Sequence, residues 1–201
     1  MSTAPLIGFV GFGAMASRMG ANLVKAGYRI AAYTPSGKGG DGSTRFVPTP
    51  RALAQEADIL IACVPDDEAL ASALHGPDGA LAGLKAGGLL INTSTVAPET
   101  SVALAQECAT RNIAGIDAPV AGSTPEAESG NLVILAGGTA DEIARAQPVF
   151  DAIGRLTIHA GPAGSGSKLK LVINGIMGAT LAVVAEGVTY GLAAGLDRSM
   201  L

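Results

Sequence analysis

Tryptophan is absent from the 201 residues of this chain, and aromatic residues of all kinds make up only 3% of it. Charged residues are also few, at 15%, and 13 Lys and Arg against 17 Asp and Glu leave a net charge of −4. There is no basic stripe with interleaved aromatic residues, so we expect no nucleic-acid partner. Residues 1–5 are uncharged and lead directly into an apolar run, which is not the pattern of a signal peptide. We therefore expect a cytoplasmic protein.

Cysteine is scarce too, occurring only as Cys63 and Cys108. Two buried thiols in a reducing compartment are favoured over a disulfide, and we expect no metal site. Hydrophobic residues are abundant at 48%, which is enough to build a packed core. Alanine and glycine together supply about a third of the chain, with 37 and 28 residues. Such small side chains allow helices to lie close to a sheet.

Short apolar runs alternate with amphipathic segments along most of the chain. Strands are predicted at 6–10, 29–33, 59–63, 89–92, 113–117, 132–136 and 156–160. Helices are predicted at 14–26, 50–57, 66–74, 98–111 and from 139 toward 153, where Thr139 and Glu142 have the spacing of a capping box. Residues 34–48 are predicted to form a long loop. The alternation predicts an α/β fold with a doubly wound, mainly parallel sheet.

From Ser165 onward the pattern changes to one long helix that is apolar on nearly every side. Such a helix has to be covered by protein or by lipid. Its length suits a membrane span, but Asn174, Glu186 and three glycines within it favour burial against protein. We therefore expect no membrane partner and predict that a further domain or a partner subunit covers the helix. A turn at 195–197 has the pattern of the start of another helix.

A glycine-rich turn joins the first predicted strand to the first predicted helix, and it contains Gly11, Phe12, Gly13, Ala14 and Met15. The first glycine permits the tight turn, the second lets a pyrophosphate approach the backbone, and the small Ala16 allows close helix–strand contact. The helix N-terminus adds free N–H groups and the positive end of its dipole. In this context the turn predicts a dinucleotide-binding site; the alternative is a structural turn.

The end of the second predicted strand bears on the choice of cofactor. An NAD-specific site usually has Asp or Glu there to bind the ribose 2′-hydroxyl. In this chain Thr34, Ser36 and Lys38 follow the strand, and the first carboxylate is Asp41. Ser36 and Lys38 suit a 2′-phosphate, so NADP is favoured over NAD. The alternative is a solvated loop with an ordinary lysine.

Lys170 and Asn174 lie four residues apart in the long helix and therefore share one face of it. Apolar neighbours on either side predict that Lys170 is partly desolvated, which lowers the pKa of its amine toward a range useful for acid–base chemistry. The alternative is a lysine that extends its ammonium group to water. Lys168 is predicted to be an ordinary solvated charge.

Four motifs resemble those of the β-hydroxyacid dehydrogenases, the family of 3-hydroxyisobutyrate dehydrogenase and tartronate semialdehyde reductase. The first motif is 8–15, with Asn22 and Leu23 on the following helix. The second motif is 92–95 with Pro98, and the third is 117–123. The fourth motif consists of Gly164, Gly166, Lys170 and Asn174, and in this order the four motifs cover the whole chain. The resemblance implies a Rossmann-like NAD(P)-binding domain at residues 1–163. Residues 164–201 then begin a helical second domain, the rest of which is not in this sequence, and the helical region makes a homodimer or a higher homo-oligomer.

The resemblance also implies roles for individual residues. Lys170 is the general acid and base, and Asn174 orients the substrate. The nicotinamide end of the cofactor is lined by Val64, Pro65 and Thr95. The substrate carboxylate is bound by Ala121, Gly122 and Ser123, although the family has Ser in place of Ala121 and Gly in place of Ser123. Asn92 stands where the family has Asp.

The resulting prediction is an oxidoreductase that transfers a hydride between NAD(P) and a small 3-hydroxy acid or 3-oxo acid. The altered loop at 121–123 leaves open a reductase of another C=X bond, such as an imine. A dinucleotide-binding module without catalysis is the second alternative, and the presence of Lys170 speaks against it.

Overall fold

The computed structural model describes residues 4–39 and 44–201. Within these residues one sheet is formed by β1 (Leu6–Val10), β2 (Arg29–Tyr33), β3 (Arg45–Phe46), β4 (Ile59–Ala62), β5 (Leu89–Asn92), β6 (Ala114–Asp117), β7 (Val120–Ala121), β8 (Leu132–Gly137) and β9 (Gly154–Gly161). The α-helices are α1 (Ala14–Lys25), α2 (Pro50–Glu56), α3 (Asp67–Leu74), α4 (Pro98–Thr110), α5 (Thr124–Ser129), α6 (Ala140–Ile153) and α7 (Ser165–Ala193), and a 3-10 helix spans Ala80–Ala82.

The order of the strands places β1 inside a parallel sheet. From one edge the parallel strands run β3-β2-β1-β4-β5-β6, and Ile7 of β1 lies between Ile30 of β2 and Ile59 of β4. The winding reverses between β1 and β4, which is where open α/β sheets form a crevice at the carboxyl ends of their strands. This order confirms the predicted doubly wound, mainly parallel α/β fold.

Beyond β6 the sheet becomes mixed. β8 runs antiparallel to β6, with Asp117 opposite Gly137. β7 also pairs antiparallel with β8, and β9 pairs with β8 in parallel. The mixed end of the sheet brings the end of β6 close to the residues that precede α7.

The central strands are buried on both faces of the sheet. Because successive side chains of a strand point to opposite faces, β1 contributes to two cores. Ile7 and Phe9 of β1 belong to a core under α1 and α6. Leu6 and Val10 of the same strand belong to a second core under α2, α3 and α4. Gly8 shows why small residues are needed, since a Cβ there would lie 2.9 Å from Cγ of Leu53 on α2.

Helix boundaries follow the capping signals in the sequence. Thr49 accepts a hydrogen bond from the Ala52 N–H at 3.0 Å and caps α2. Asp66 caps α3 by accepting from the Ala69 N–H at 2.8 Å. Thr139 and Glu142 form the predicted capping box at the start of α6.

Four short elements were not predicted, and one of them is the 3-10 helix at Ala80–Ala82. The segment 34–48 contains β3, which pairs with β2, in addition to loop structure. Between 117 and 132, where no element was predicted, the chain forms β7 and α5. Elements of two to six residues are too short to show a hydrophobic period, and β7 exists because Val120 and Ala121 pair with β8.

The long helix α7 forms as predicted, with 29 residues, and at 1.5 Å per residue it is about 43 Å long. Its length, and a mean hydropathy of 1.8 over an 18-residue window within it, would also allow it to cross a membrane. Burial is confined to Gly166 and Ser167 at its start and to Gly191 near its end. Among the described residues nothing covers its middle, where Ile176 is 64% exposed. Turns follow α7 at 194–195 and 198–200, and Asp197 Oδ1 accepts a hydrogen bond from the Ser199 N–H at 2.8 Å, so the start of another helix at 195–197 stays a prediction.

Candidate active site

The glycine-rich turn at 11–15, which is predicted to bind a pyrophosphate and is called the phosphate loop below, depends on a contact that no local pattern reveals. Gly11 has a positive φ of 84°, and a Cβ at this position would lie 2.2 Å from the backbone oxygen of Cys63 after β4. The Gly11 N–H donates to the Tyr33 carbonyl oxygen at 2.9 Å. Gly11 is therefore held between the ends of β2 and β4, and only glycine fits there.

Gly13 differs from Gly11 because nothing lies within 4 Å of a Cβ added to it. Gly13 precedes α1, whose first turn has neither a side-chain cap nor an acidic residue. Gly13 and Ala14 are exposed. The free N–H groups and the dipole of α1 therefore face open space, and this arrangement fits a bound pyrophosphate.

The side chains of Phe12 and Met15 point into the protein. Phe12 is 4% exposed and makes edge contacts with Phe9 and Phe46. Met15 is half-buried against the core under α1. At these two positions the backbone, and not the side chain, is therefore what a bound cofactor could contact.

The loops after β4 and β5 are joined by hydrogen bonds at the same edge of the sheet. The Val64 N–H donates to Ser94 Oγ at 3.0 Å, and the Ser94 N–H donates to Asn92 Oδ1 at 3.1 Å. An Asp at position 92 would offer the same acceptor, so Asn92 preserves this turn. Val64 is half-buried, while Pro65 and Thr95 are exposed. The strand order thus brings these loops to the carboxyl edge that also carries the phosphate loop.

The loop after β2 closes on itself. Thr34 Oγ1 donates to the Lys38 carbonyl oxygen at 2.9 Å and accepts from the Lys38 N–H at 3.1 Å. A Cβ on Gly39 would lie 2.6 Å from the Phe12 carbonyl oxygen, so the loop returns to the phosphate loop. Ser36 and Lys38 are exposed. Asp41 lies outside the described residues.

Lys170 and Asn174 are both half-buried, one turn apart on α7, while Lys168 is exposed. Burial lowers the pKa of Lys170 from its ordinary value, as predicted from its apolar neighbours. Among the described residues, no ion pair involves Lys170.

Residues 121–123 already make hydrogen bonds and packing contacts within the protein. The Ser123 N–H and Ser123 Oγ both donate to Glu126 Oε2, at 2.8 and 2.5 Å. Gly122 has a φ of 131°, and a Cβ there would lie 2.9 Å from Leu132 Cδ2. Ala121 and Gly122 line an open cavity of about 710 Å³ with Glu126 and Arg155. A substrate carboxylate at Ser123 therefore has to replace Glu126 as the acceptor.

The structure also reveals a residue to which the sequence analysis gave no role of its own. Asp117, in the third motif, is 3% exposed and accepts hydrogen bonds from the Gly164 and Ser167 N–H groups, each at 2.8 Å.

Both cysteines are free thiols. Cys108 is buried in α4, and Cys63 is half-buried after β4. Burial raises the pKa of Cys108 to about 12. Within the described part of the chain, no group of three or more His, Cys, Asp or Glu is placed to hold a metal ion.

Comparisons with known proteins place the chain among dehydrogenases. Residues 6–161 match the family model for the NAD binding domain of 6-phosphogluconate dehydrogenase. The chain is 35% identical to 3-hydroxyisobutyrate dehydrogenase and 33% identical to NAD-dependent L-serine dehydrogenase, both from Pseudomonas aeruginosa. Each match covers 97% of this chain and 67% of the relative, so the chain spans about two thirds of the length of these curated relatives.

Solved structures agree with this placement. Mycobacterium tuberculosis 3-hydroxyisobutyrate dehydrogenase with L-serine superposes with a TM-score of 0.86 at 26% identity, over 96% of this chain and 67% of that one. An imine reductase from Myxococcus stipitatus with NADP+ has a TM-score of 0.90 at 18% identity, over 98% and 69% of the two chains. The second likeness concerns the fold alone.

Proposed function

The chain belongs to the β-hydroxyacid dehydrogenase family of NAD(P)-dependent oxidoreductases, and we propose that its protein transfers a hydride between NAD(P) and a small 3-hydroxy acid or the corresponding semialdehyde. Lys170 is the general acid and base in this proposal, and Asn174 orients the substrate. The observation that carries the proposal is the half-buried Lys170, whose pKa is lowered by burial one helical turn from Asn174.

In the proposed reaction, Lys170 gives or takes up the one proton that accompanies the transfer of the hydride. When bound, NAD(P) supplies or accepts the hydride. In the reducing direction the Lys170 ammonium donates its proton to the carbonyl oxygen, which becomes a hydroxyl. In the oxidising direction the neutral Lys170 amine removes the hydroxyl proton. A lysine with its ordinary pKa of about 10.4 is almost fully charged at neutral pH, so the lowered pKa of Lys170 supports the role of base.

The cofactor lies across the carboxyl ends of β1, β4 and β5 in this proposal. The pyrophosphate is bound through the backbone of the phosphate loop, at Gly11, Phe12, Gly13, Ala14 and Met15. The nicotinamide end is lined by Val64, Pro65 and Thr95. Support comes from the strand order, which gathers these three loops at the point where the winding reverses.

NADP is the proposed cofactor in preference to NAD. The support is the absence of a carboxylate between Tyr33 and Lys38, together with the exposed side chains of Ser36 and Lys38 near the phosphate loop. Thr34 maintains the turn that presents them, through its two hydrogen bonds to the Lys38 backbone. A 2′-phosphate gains both a hydroxyl donor and a positive charge from such a loop.

The substrate carboxylate is proposed to bind at Ala121, Gly122 and Ser123, by analogy with the family motif. A backbone loop with N–H donors and a hydroxyl is a general form of anion site. The Ser123 donors already bind the Glu126 carboxylate, which supports their competence for an anion and makes exchange with Glu126 a condition of binding.

The domain organisation is proposed as residues 1–163 for cofactor binding and 164–201 for the start of a helical domain. The exposed apolar middle of α7, including Val183 at 69% exposure, supports a covering partner made of protein. A homodimer or a higher homo-oligomer in the cytoplasm remains our proposal for the assembly and its compartment.

The test is a steady-state assay of the intact protein with NADPH and NADH against small semialdehydes, 3-hydroxy acids and cyclic imines. Lys170→Ala and Lys170→Arg are each expected to lower kcat about 10²- to 10⁴-fold, because positioned acid–base assistance contributes about that much. Lys168→Ala is the matched control, since Lys168 is exposed on the same helix, and it is expected to retain the activity. In the oxidising direction the rate is expected to rise with pH through the lowered pKa of Lys170, and in the reducing direction to fall.

Near-normal turnover by a correctly folded Lys170→Ala protein would remove Lys170 from the mechanism. Preference for imines over carboxylate-bearing aldehydes would replace the proposed substrate class. Binding of NADPH without turnover of any substrate would favour a non-catalytic module.

A further inference from the structure

The N-terminus of α7 has no cap of its own. Gly164 at the cap position has no side chain, and the first turn contains no acidic residue. Asp117 at the end of β6 supplies the missing acceptor, since Oδ1 accepts from the Gly164 N–H and Oδ2 from the Ser167 N–H, each at 2.8 Å. One buried carboxylate thus satisfies two free N–H groups of the helix start and lies at the positive end of its dipole.

The approach of α7 to Asp117 requires two glycines. A Cβ on Gly166 would lie 2.1 Å from the Leu135 carbonyl oxygen and 2.9 Å from Asp117 Oδ2. A Cβ on Gly137 would lie 2.3 Å from Asp117 Oδ1. The first turn of α7 is therefore packed directly on the backbone of β8 and on the Asp117 carboxylate.

A third element fixes the same turn from the side. Ser167 Oγ lies 2.8 Å from Ser101 Oγ on α4, and both serines are buried, at 2% and 3% exposure. The turn is thus bound to β6 and α4 by buried hydrogen bonds, and it packs closely against β8.

After this turn, α7 has few contacts within the described residues. Leu171 and Val172 are already 47% and 57% exposed. Lys170 follows Ser167 by three residues, so its Cα is about 4.5 Å further along the helix axis. Any rotation or tilt of the first turn therefore moves the Lys170 side chain directly.

We infer that Asp117 is a positioning residue, which holds the first turn of α7 so that the Lys170 amine lies at the reacting oxygen of the substrate. The inference rests on the proposed role of Lys170. In this role Asp117 acts through the Gly164 and Ser167 N–H groups and needs no contact with substrate or cofactor.

The charges around α7 are consistent with an indirect action. The charged residues on the elements that pack against α7 are Glu99 and Glu107 on α4, Asp117 on β6, and Arg155 and His159 on β9. None of them forms an ion pair with Lys170. Burial raises the pKa of Asp117, and the hydrogen bonds from Ser167 and Gly164 oppose that rise.

The test compares Asp117→Asn with the wild type in the intact protein. The amide can accept from one of the two N–H groups but directs its own NH₂ toward the other, so one hydrogen bond is lost. Because a displacement of about 1 Å at a catalytic group can cost about 10²-fold, we expect kcat to fall about 10- to 100-fold. The KM for the cofactor is expected to stay within about twofold, since the phosphate loop is on β1.

The pH profile separates positioning from simple loss of stability. A displaced Lys170 is more hydrated, so its pKa rises and the midpoint of the oxidation profile moves to higher pH. Ser167→Ala, which keeps the backbone donor but removes the hydroxyl, is expected to cause a smaller shift in the same direction. Thr49→Ala removes a comparable helix cap on α2 and is the matched control, with no expected shift.

An unchanged pH midpoint and kcat in folded Asp117→Asn would overturn the inference. If Asp117→Asn does not fold, Ser167→Ala decides in the same way: a shifted midpoint supports positioning, and an unshifted one with normal kcat refutes it. If Lys170→Ala loses activity while Asp117→Asn retains normal activity, only the inference about Asp117 is contradicted. Normal activity in Lys170→Ala would contradict the proposed function itself.

Discussion

A methyl group added at Gly13 tests the cofactor site without disturbing the fold. No atom lies within 4 Å of a Cβ at this position, and its φ of −80° suits alanine. Alanine is a poorer residue than glycine before a helix, so we expect the free energy of unfolding to fall by less than about 1 kcal/mol.

The effect on cofactor binding is expected to be much larger. Phosphate oxygens approach backbone N–H groups to about 2.8 Å, and the new methyl group occupies the space through which they approach. Loss of one charge-assisted hydrogen bond costs about 1.5–3 kcal/mol, which corresponds to about a 10- to 150-fold rise in Kd. Titration calorimetry with NADPH measures this rise, and thermal unfolding measures stability in the same samples.

Gly11→Ala provides the contrast within the same loop. Its Cβ would lie 2.2 Å from the Cys63 carbonyl oxygen at a positive φ, so this variant is expected to lose stability as well as binding. If Gly13→Ala bound NADPH and NADH as tightly as the wild type, the pyrophosphate would not lie at this loop and the placement of the cofactor would be wrong.

Two further predictions concern the loop after β2 and the surface of α4. Lys38→Ala is expected to raise the Kd for NADPH about 5- to 10-fold and to leave that for NADH unchanged, because only NADPH carries the 2′-phosphate; an equal effect on both cofactors would contradict the proposed contact. The hydrogen bond from His75 and, to a smaller extent, the contacts with Arg111 lower the pKa of Glu107. A lowered pKa in the folded state means that Glu107 stabilises the protein above its unfolded pKa, and that this stability is lost as the pH falls through the folded value. Glu107→Gln is therefore expected to lower the free energy of unfolding at pH 7 by less than about 1 kcal/mol, with the difference vanishing in acid; a difference that persisted at low pH in denaturant titrations would assign the effect to packing.

Much of the fold was predictable because it is encoded in local patterns. Runs such as Leu6–Val10 and Leu89–Asn92 have the length and composition of buried strands, and Thr49 and Thr139 mark helix starts with side chains that act within three residues. β7 was not predictable, since Val120 becomes a strand residue only by pairing with Ile134. α5 has only six residues, too few to show a helical period.

The candidate site was also predictable only in part. The spacing of Lys170 and Asn174 places them on one helix face whatever surrounds the helix, and their apolar neighbours predicted the lowered pKa of Lys170. The hydrogen bonds between Ser123 and Glu126 were not predicted, although a serine followed three residues later by a glutamate is the signal of a capping box at a helix start. The role of Asp117 had no local signal, because its partners Gly164 and Ser167 lie 47 and 50 residues away.

Residue order and periodicity were enough to establish a doubly wound sheet, a glycine turn at the end of its first strand, and a lysine on the face of a long apolar helix. These are short-range properties, set by backbone geometry and by neighbours within a few residues. The contact of Gly11 with Cys63 and the docking of α7 on Asp117 arise only when distant segments pack together. Distances between such segments depend on how the whole chain is packed, and this is why the positions of the reactive groups were decided by the tertiary structure.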